Sequence, residues 1–103
     1  MKETKHMSDI IYNVKNGKKN IIIKGRTGSG KTLLIHNLLP IIGRDCCVIE
    51  WIECINDINK LQSMLPEGTI NIFTLQSKRF LEEIDFDYFL VELDKEVKDE
   101  RIN

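Results

Sequence analysis

The 103-residue sequence holds one tryptophan, two prolines, two histidines and three cysteines, and its net charge is only −1. Each scarcity removes a class of protein. Cys46, Cys47 and Cys54 are too few for a disulfide-stapled fold, and their spacing fits no zinc site. They read as half-buried thiols of a reducing compartment, with the adjacent Cys46 and Cys47 on opposite faces of a strand. The lone His6 and His36 carry no metal-ligand signal. A balanced total charge gives no nucleic-acid footprint, which would need a basic domain. No apolar run approaches the ~20 residues of a membrane helix, so membrane insertion is not expected. Residues Met1 to His6 lack the apolar stretch of a secretory signal, and the expectation is a cytoplasmic protein.

What is present is a globular composition, 42% hydrophobic and 30% charged, in a length that suits one domain over residues 1–103. The near-zero net charge conceals an asymmetry. Residues 1–45 carry nine Lys and Arg against three Asp and Glu, a net +6, while residues 46–103 carry six against thirteen, a net −7. A basic cluster of Lys15, Lys18, Lys19, Lys24 and Arg26 leads into a glycine-rich loop. Such a cluster suits attraction of polyphosphate, contact with an acidic neighbouring subunit, or an ordinary solvated face.

Hydrophobic spacing alternates between helical and strand patterns. A short helix capped by Ser8 runs to about Asn16, with Ile10, Ile11 and Val14 inward and Gly17 as its stop. Asn20 to Lys24 is β-branched and apolar without alternation, as in a central parallel strand covered on both faces. A second helix begins near Gly30, with Leu33, Leu34, Leu38 and Leu39 as its buried stripe and Pro40 at its end. Cys46 to Ile52 reads as a strand, and Asn56 caps a helix bearing Ile58, Leu61 and Leu65. Thr69 to Leu75 reads as a third strand. Ser77 caps a short helix with Phe80, Leu81 and Ile84 inward, and Tyr88 to Leu93 reads as a fourth strand. Residues 94–103 form a charged tail. The expected class is α/β, a small mainly parallel sheet of about four strands flanked by helices.

Glycine is scarce, six residues in all, yet three of the six fall at positions 25, 28 and 30. The run Gly25-Arg26-Thr27-Gly28-Ser29-Gly30-Lys31-Thr32 fills the pattern G-x-x-x-x-G-K-[ST] completely. Each residue type has a physical reason there. The glycines permit close approach and backbone angles that a Cβ would block. Successive N–H groups then wrap an anion, and the following helix adds its positive N-terminal end. Lys31 brings a charge to the β- and γ-phosphates, and the Thr32 hydroxyl is an expected ligand of Mg²⁺. A β-branched run just before the loop and a leucine-rich helix just after it supply the strand–loop–helix setting that the pattern needs.

A triphosphate site also needs carboxylates for Mg²⁺ and for water, commonly at the end of an apolar strand. Phe89-Leu90-Val91 leads into Glu92, the preferred water-orienting base, and Asp94 two residues later is the candidate Mg²⁺ partner. Val48-Ile49 leads into Glu50, a third candidate for the metal. Trp51 is read as core or as a stacking surface beside the sheet.

The stretch from Val14 to Leu34 resembles the secretion and pilus-motor ATPases of the type II/type IV secretion superfamily, a group of P-loop NTPases. In that family a Lys-Asn-apolar strand leads into the glycine loop. A strand with an isoleucine–glutamate pair follows, matched here by Ile49-Glu50. A later strand carries glutamate as its acid, matched by Phe89-Leu90-Val91-Glu92-Leu93-Asp94 after Asp87. The similarity covers about residues 8–100, with Val91 in place of the family's glycine, Asp94 in place of its arginine and Trp51 in place of its second acid. No histidine box appears between residues 70 and 90. The resemblance implies a stripped-down P-loop core that binds ATP with Mg²⁺.

Three activities are then open: slow ATP hydrolysis, nucleotide binding without turnover by a module that forms a homo-oligomer or docks on a larger ATPase, and phosphoryl transfer to a small acceptor. The scattered Arg44, Arg79 and Arg101 give the last no arginine lid. Nothing marks a guanine site, so ATP is the default nucleotide.

Overall fold

The computed structural model describes residues 5–26 and 28–93. Thr27 and the tail from 94 onwards, with the Asp94 candidate, lie outside the described residues. The chain is an α/β structure built on one sheet of four parallel strands: β1 (Asn20–Lys24), β2 (Cys46–Ile49), β3 (Ile70–Leu75) and β4 (Phe89–Glu92). Their spatial order is β2-β3-β1-β4. The helices are α1 (Lys5–Lys15), α2 (Lys31–Ile42) and α3 (Ile58–Ser63), with 3₁₀ turns at Ile52–Cys54 and Lys78–Glu83.

The unbroken apolar run of β1 follows from its place. It pairs with β3 on one side and β4 on the other, so that Ile22 stands opposite both Phe73 and Leu90. Successive side chains point to opposite faces. Ile21 and Ile23 therefore join Ile70, Ile72 and Val91 under α1 and α2, which contribute Met7, Ile10, Val14, Leu34, Ile35 and Leu38. Ile22 joins Phe73 and Leu75 on the other face, covered by Ile52, Ile58 and the partly buried Leu61, Phe80, Leu81 and Ile84. The connection leaving β1 thus crosses one face, and those leaving β2 and β3 cross the other.

Several local expectations shift. Ser8 lies inside α1, whose described residues are Lys5–Lys15, and does not cap it. Asp57, one residue beyond Asn56, caps α3 by accepting a hydrogen bond from the Lys60 N–H at 3.0 Å. Ser77 caps the last turn as expected, accepting from the Arg79 N–H at 3.2 Å. Pro40 sits within the final turn of α2, two residues before its end; it removes one N–H, whose helical acceptor would be the His36 carbonyl. Leu33 is 63% exposed. The buried stripe is Leu34, Ile35 and Leu38, and at 100° per residue Leu33 falls roughly opposite its centre. β2 ends at Ile49, three residues early, because the backbone turns sharply at Trp51.

The basic cluster is divided by β1. Lys15, Lys18 and Lys19 lie before the strand and Lys24 and Arg26 at its far end. Lys18 pairs with Asp87 at 2.6 Å. At that N-terminal end the two central strands begin on a buried amide pair in register, Asn20 and Asn71. Asn20 Nδ2 donates to the Asp87 carbonyl at 3.0 Å, and Asn20 Oδ1 accepts from Asn71 Nδ2 at 2.9 Å and Gln62 Nε2 at 3.4 Å. Among the described residues no helix is long and apolar enough to cross a membrane.

Candidate functional site

In open parallel sheets the crevice for a ligand lies at the carboxyl ends of neighbouring strands whose connections leave to opposite faces. Here those strands are β1 and β3. A cavity of about 330 Å³ opens there. One wall is Gly28, Gly30, Lys31, Thr32 and Leu33; the opposite wall is Glu50 and Trp51 beyond β2, with Thr74 at the end of β3.

The glycine loop leaves β1 with its path fixed by hydrogen bonds. The Gly25 N–H donates to the Leu75 carbonyl at 3.0 Å, and the Ser29 N–H donates to the Arg26 carbonyl at 3.0 Å. The glycines serve two purposes. Gly25 is a matter of room: a Cβ there would lie 3.1 Å from Ser29 Cβ and 3.3 Å from Leu93 Cβ, and closer still to Ser29 Oγ. Gly28 and Gly30 are a matter of conformation, with φ of 85° and 99° and no atom within 4 Å of a hypothetical Cβ.

The start of α2 is electrically open. Its N-cap is Gly30, which offers no side-chain acceptor, and its first turn carries no acidic residue. The first helical N–H with a partner in the turn is that of Leu34, which donates to the Gly30 carbonyl at 2.9 Å. The N–H groups of Lys31, Thr32 and Leu33 are those that a helix leaves without an internal acceptor, and all three residues line the cavity. The Ser29 hydroxyl oxygen is buried inside the loop, with no hydrogen-bond partner among the described residues. An anion is the natural complement of such a terminus.

Lys31 folds back over the loop. Its ammonium donates to the Gly25 carbonyl and to the Arg26 carbonyl, the latter at 3.1 Å. It also lies 5.8 Å from the centre of the Trp51 ring, within cation–π range. Trp51 has φ 58° and ψ 55°, the left-handed region, and is the one non-glycine residue with positive φ among those described. That conformation costs about 1–2 kcal/mol for an L-residue. It is fixed by the Trp51 N–H, which donates to Thr74 Oγ1 at 3.1 Å. Two residues on, Glu53 Oε2 accepts from the Gln76 N–H at 2.5 Å and the Ser77 N–H at 3.0 Å, tying the turn after β2 to the turn after β3.

Of the sequence-derived candidates, the fold brings Gly28, Gly30, Lys31, Thr32 and Glu50 to one cavity. Gly25, Arg26 and Ser29 shape the loop behind it. Glu92 ends β4, on the flank of β1 away from β2 and β3, in register with Lys24. Its carboxylate pairs with Lys78 at 2.9 Å, and it is not among the cavity residues. Three lining residues lie outside the sequence-derived site: Trp51, read only as core or as a stacking surface beside the sheet, Leu33 and Thr74. Leu33 is hidden inside a leucine run, where only the helical phase singles it out. Thr74 is the lone hydroxyl of β3, one residue before its end, a weak signal. Among the described residues no group of three or more His, Cys, Asp and Glu is gathered where it would hold a metal unaided.

Comparison with known protein families, curated proteins and solved structures finds no match to this chain.

Proposed function

We propose that the loop 25–32 binds the phosphates of a nucleoside triphosphate, ATP by default, together with Mg²⁺, and that the protein turns the nucleotide over slowly. One observation carries this reading: Gly28, Gly30, Lys31 and Thr32 line the same cavity as Glu50, at the carboxyl end of the central strands. The pattern G-x-x-x-x-G-K-[ST], the left-handed Gly28 and Gly30 and the uncapped α2 terminus all favour an anion there.

The residues divide the work as follows. The N–H groups at the start of α2 receive phosphate oxygens. Lys31 exchanges a carbonyl or ring contact for the β- and γ-phosphates. The Thr32 hydroxyl and the Glu50 carboxylate are hard oxygen donors, and with phosphate oxygens they suffice for Mg²⁺, which seldom takes an all-protein cage. When bound, Mg²⁺ neutralises phosphate charge and polarises the bond to be cleaved. Glu50, the carboxylate on the cavity wall, accepts a hydrogen bond from the attacking water. Glu92 keeps a role as base only if it exchanges Lys78 for the nucleotide. Among the described residues Lys31 is the sole Lys or Arg that lines the cavity, and a lone lysine leaves much of the transition-state charge unopposed; hence slow turnover.

That same observation favours a second reading, a nucleotide-binding module without turnover that acts through a second copy or a larger ATPase. Calorimetric titration of Mg·ATP into the protein tests the common premise. The expected result is micromolar binding, weakened about 100-fold by Lys31→Ala through loss of a charge-assisted contact. No heat at millimolar Mg·ATP would exclude both readings for this chain. Phosphate release by wild type, Glu50→Gln and Glu92→Gln then separates them: loss in Glu50→Gln alone, with Mg·ATP affinity retained, assigns the base, and no release by wild type leaves the module.

A further inference from the structure

The wall facing the phosphate loop carries the one strained non-glycine residue among those described, Trp51. A left-handed tryptophan persists only where its surroundings fix it, and such strain gathers at functional positions. Here the Thr74 hydroxyl holds the Trp51 N–H, and Glu53 holds the neighbouring turn onto Gln76 and Ser77. The result is a large aromatic ring that is 46% exposed, lines the cavity and faces the Lys31 ammonium at 5.8 Å. An ammonium has three N–H donors. Two of those of Lys31 go to the Gly25 and Arg26 carbonyls, and the electron-rich ring face is a further neighbour.

We propose that Trp51 is a positioning residue for Lys31: the indole holds the ammonium over the loop and yields it to a terminal phosphate, so that ring and phosphate compete for one cation. The inference rests on the phosphate-binding reading given above. Of the three contacts made by the ammonium, an exposed ring face is the weakest, so exchange takes place there and leaves the carbonyl contacts to steady the side chain. The ring then sets how tightly polyphosphate binds, while its backbone strain keeps it in place.

The test uses inorganic tripolyphosphate with Mg²⁺, which has no base or sugar and so isolates the phosphate contacts. Trp51 is the only tryptophan in the sequence, and its emission therefore reports this ring alone. In the wild type, calorimetry and tryptophan emission are expected to give one and the same dissociation constant, as the ammonium leaves the indole. Lys31→Met shifts the starting emission and removes the response. Trp51→Leu binds tripolyphosphate about two- to fivefold more tightly, the fold-change of one exposed cation–π contact, and Trp51→Phe restores most of the wild-type value. Thr74→Val, which deletes the acceptor that fixes the ring, tightens binding as Trp51→Leu does, and Thr74→Ser restores it. Heat of binding with unchanged emission, or a Trp51→Leu protein that binds no more tightly than wild type, overturns the inference and leaves the phosphate site standing. No heat from the wild type at millimolar tripolyphosphate overturns both. Should Trp51→Leu fail to fold, the emission titration and the Thr74 pair decide.

Discussion

The two ends of the sheet use polar groups in opposite ways. At the N-terminal end, Asn20, Asn71 and Gln62 answer one another and the Asp87 carbonyl, inside the protein. Asparagine is depleted in strands, so a buried pair of them in register on the central strands is a bond between β1, β3 and the turn before β4. One acceptor, Asn71 Oδ1, is left over. At the C-terminal end the polar groups converge on a cavity: the uncapped first turn of α2, Lys31, Thr32 and Glu50. The same contrast separates the helices. Asp57 caps α3 and Ser77 caps the following turn, while α2 starts on a bare glycine. Groups that answer each other hold the fold; groups that face a cavity are kept for something else.

Substitutions at the two ends should separate stability from binding. Asn20→Ala strips the buried Asn71 amide and the part-buried Asp87 carbonyl of their partner, and should lower unfolding free energy in urea by about 1–3 kcal/mol. Tripolyphosphate affinity of the folded protein should stay within about twofold; a matching loss of affinity would join the two ends and end the contrast. Gly30→Ala forces a left-handed Cβ-bearing residue, for about 1–2 kcal/mol of stability, and places a methyl at the loop, so that it alone should lower stability and affinity together. Asp57→Ala removes a true cap and should cost about 1 kcal/mol with affinity unchanged; no cost would mean that α3 is held by packing alone. The smallest effect concerns thiols. Cys46, at the start of β2, has its pKa raised, chiefly by burial and against the lowering influence of Arg44, and its Sγ donates to the Arg44 carbonyl at 3.4 Å. Cys54 is exposed beyond the other end of β2. Alkylation at neutral pH, followed by mass spectrometry, should label Cys54 first, and Cys46 should catch up only as alkaline pH frees its proton.

Much of this was legible in the residues and some was not, for reasons that are physical. β1 announced itself because a strand covered on both faces needs no alternation, and Asn20 to Lys24 shows none. The glycine loop was legible because its constraints are local: φ at Gly28 and Gly30 and the crowding of Gly25 by Ser29 lie within six residues. Trp51 was visible as a residue but not as a wall of the cavity, since its place depends on Thr74, 23 positions away. Leu33 reads as part of the buried stripe because four leucines in seven positions blur the helical phase. The carboxylates were hardest to rank. Glu50 and Glu92 both end apolar strands, and only the order β2-β3-β1-β4 puts them on different flanks of β1, a fact that no local pattern encodes.

The position of β1 has a consequence for synthesis. Among the described strands it is the first along the chain, yet its two neighbours, β3 and β4, are the last two. While the chain grows, Ile21 to Ile23 have no strand beside them until residue 70 has emerged, and one flank stays open until residue 89. A ribosome-bound chain halted between those points presents an unpaired edge with Ile21, Ile22 and Ile23 at its centre, of the kind that recruits other chains. Until β4 docks, the Leu93 N–H has not reached the Lys24 carbonyl at the foot of the glycine loop. The loop is thus translated ahead of β2, β3 and β4 and set only when the last of them arrives.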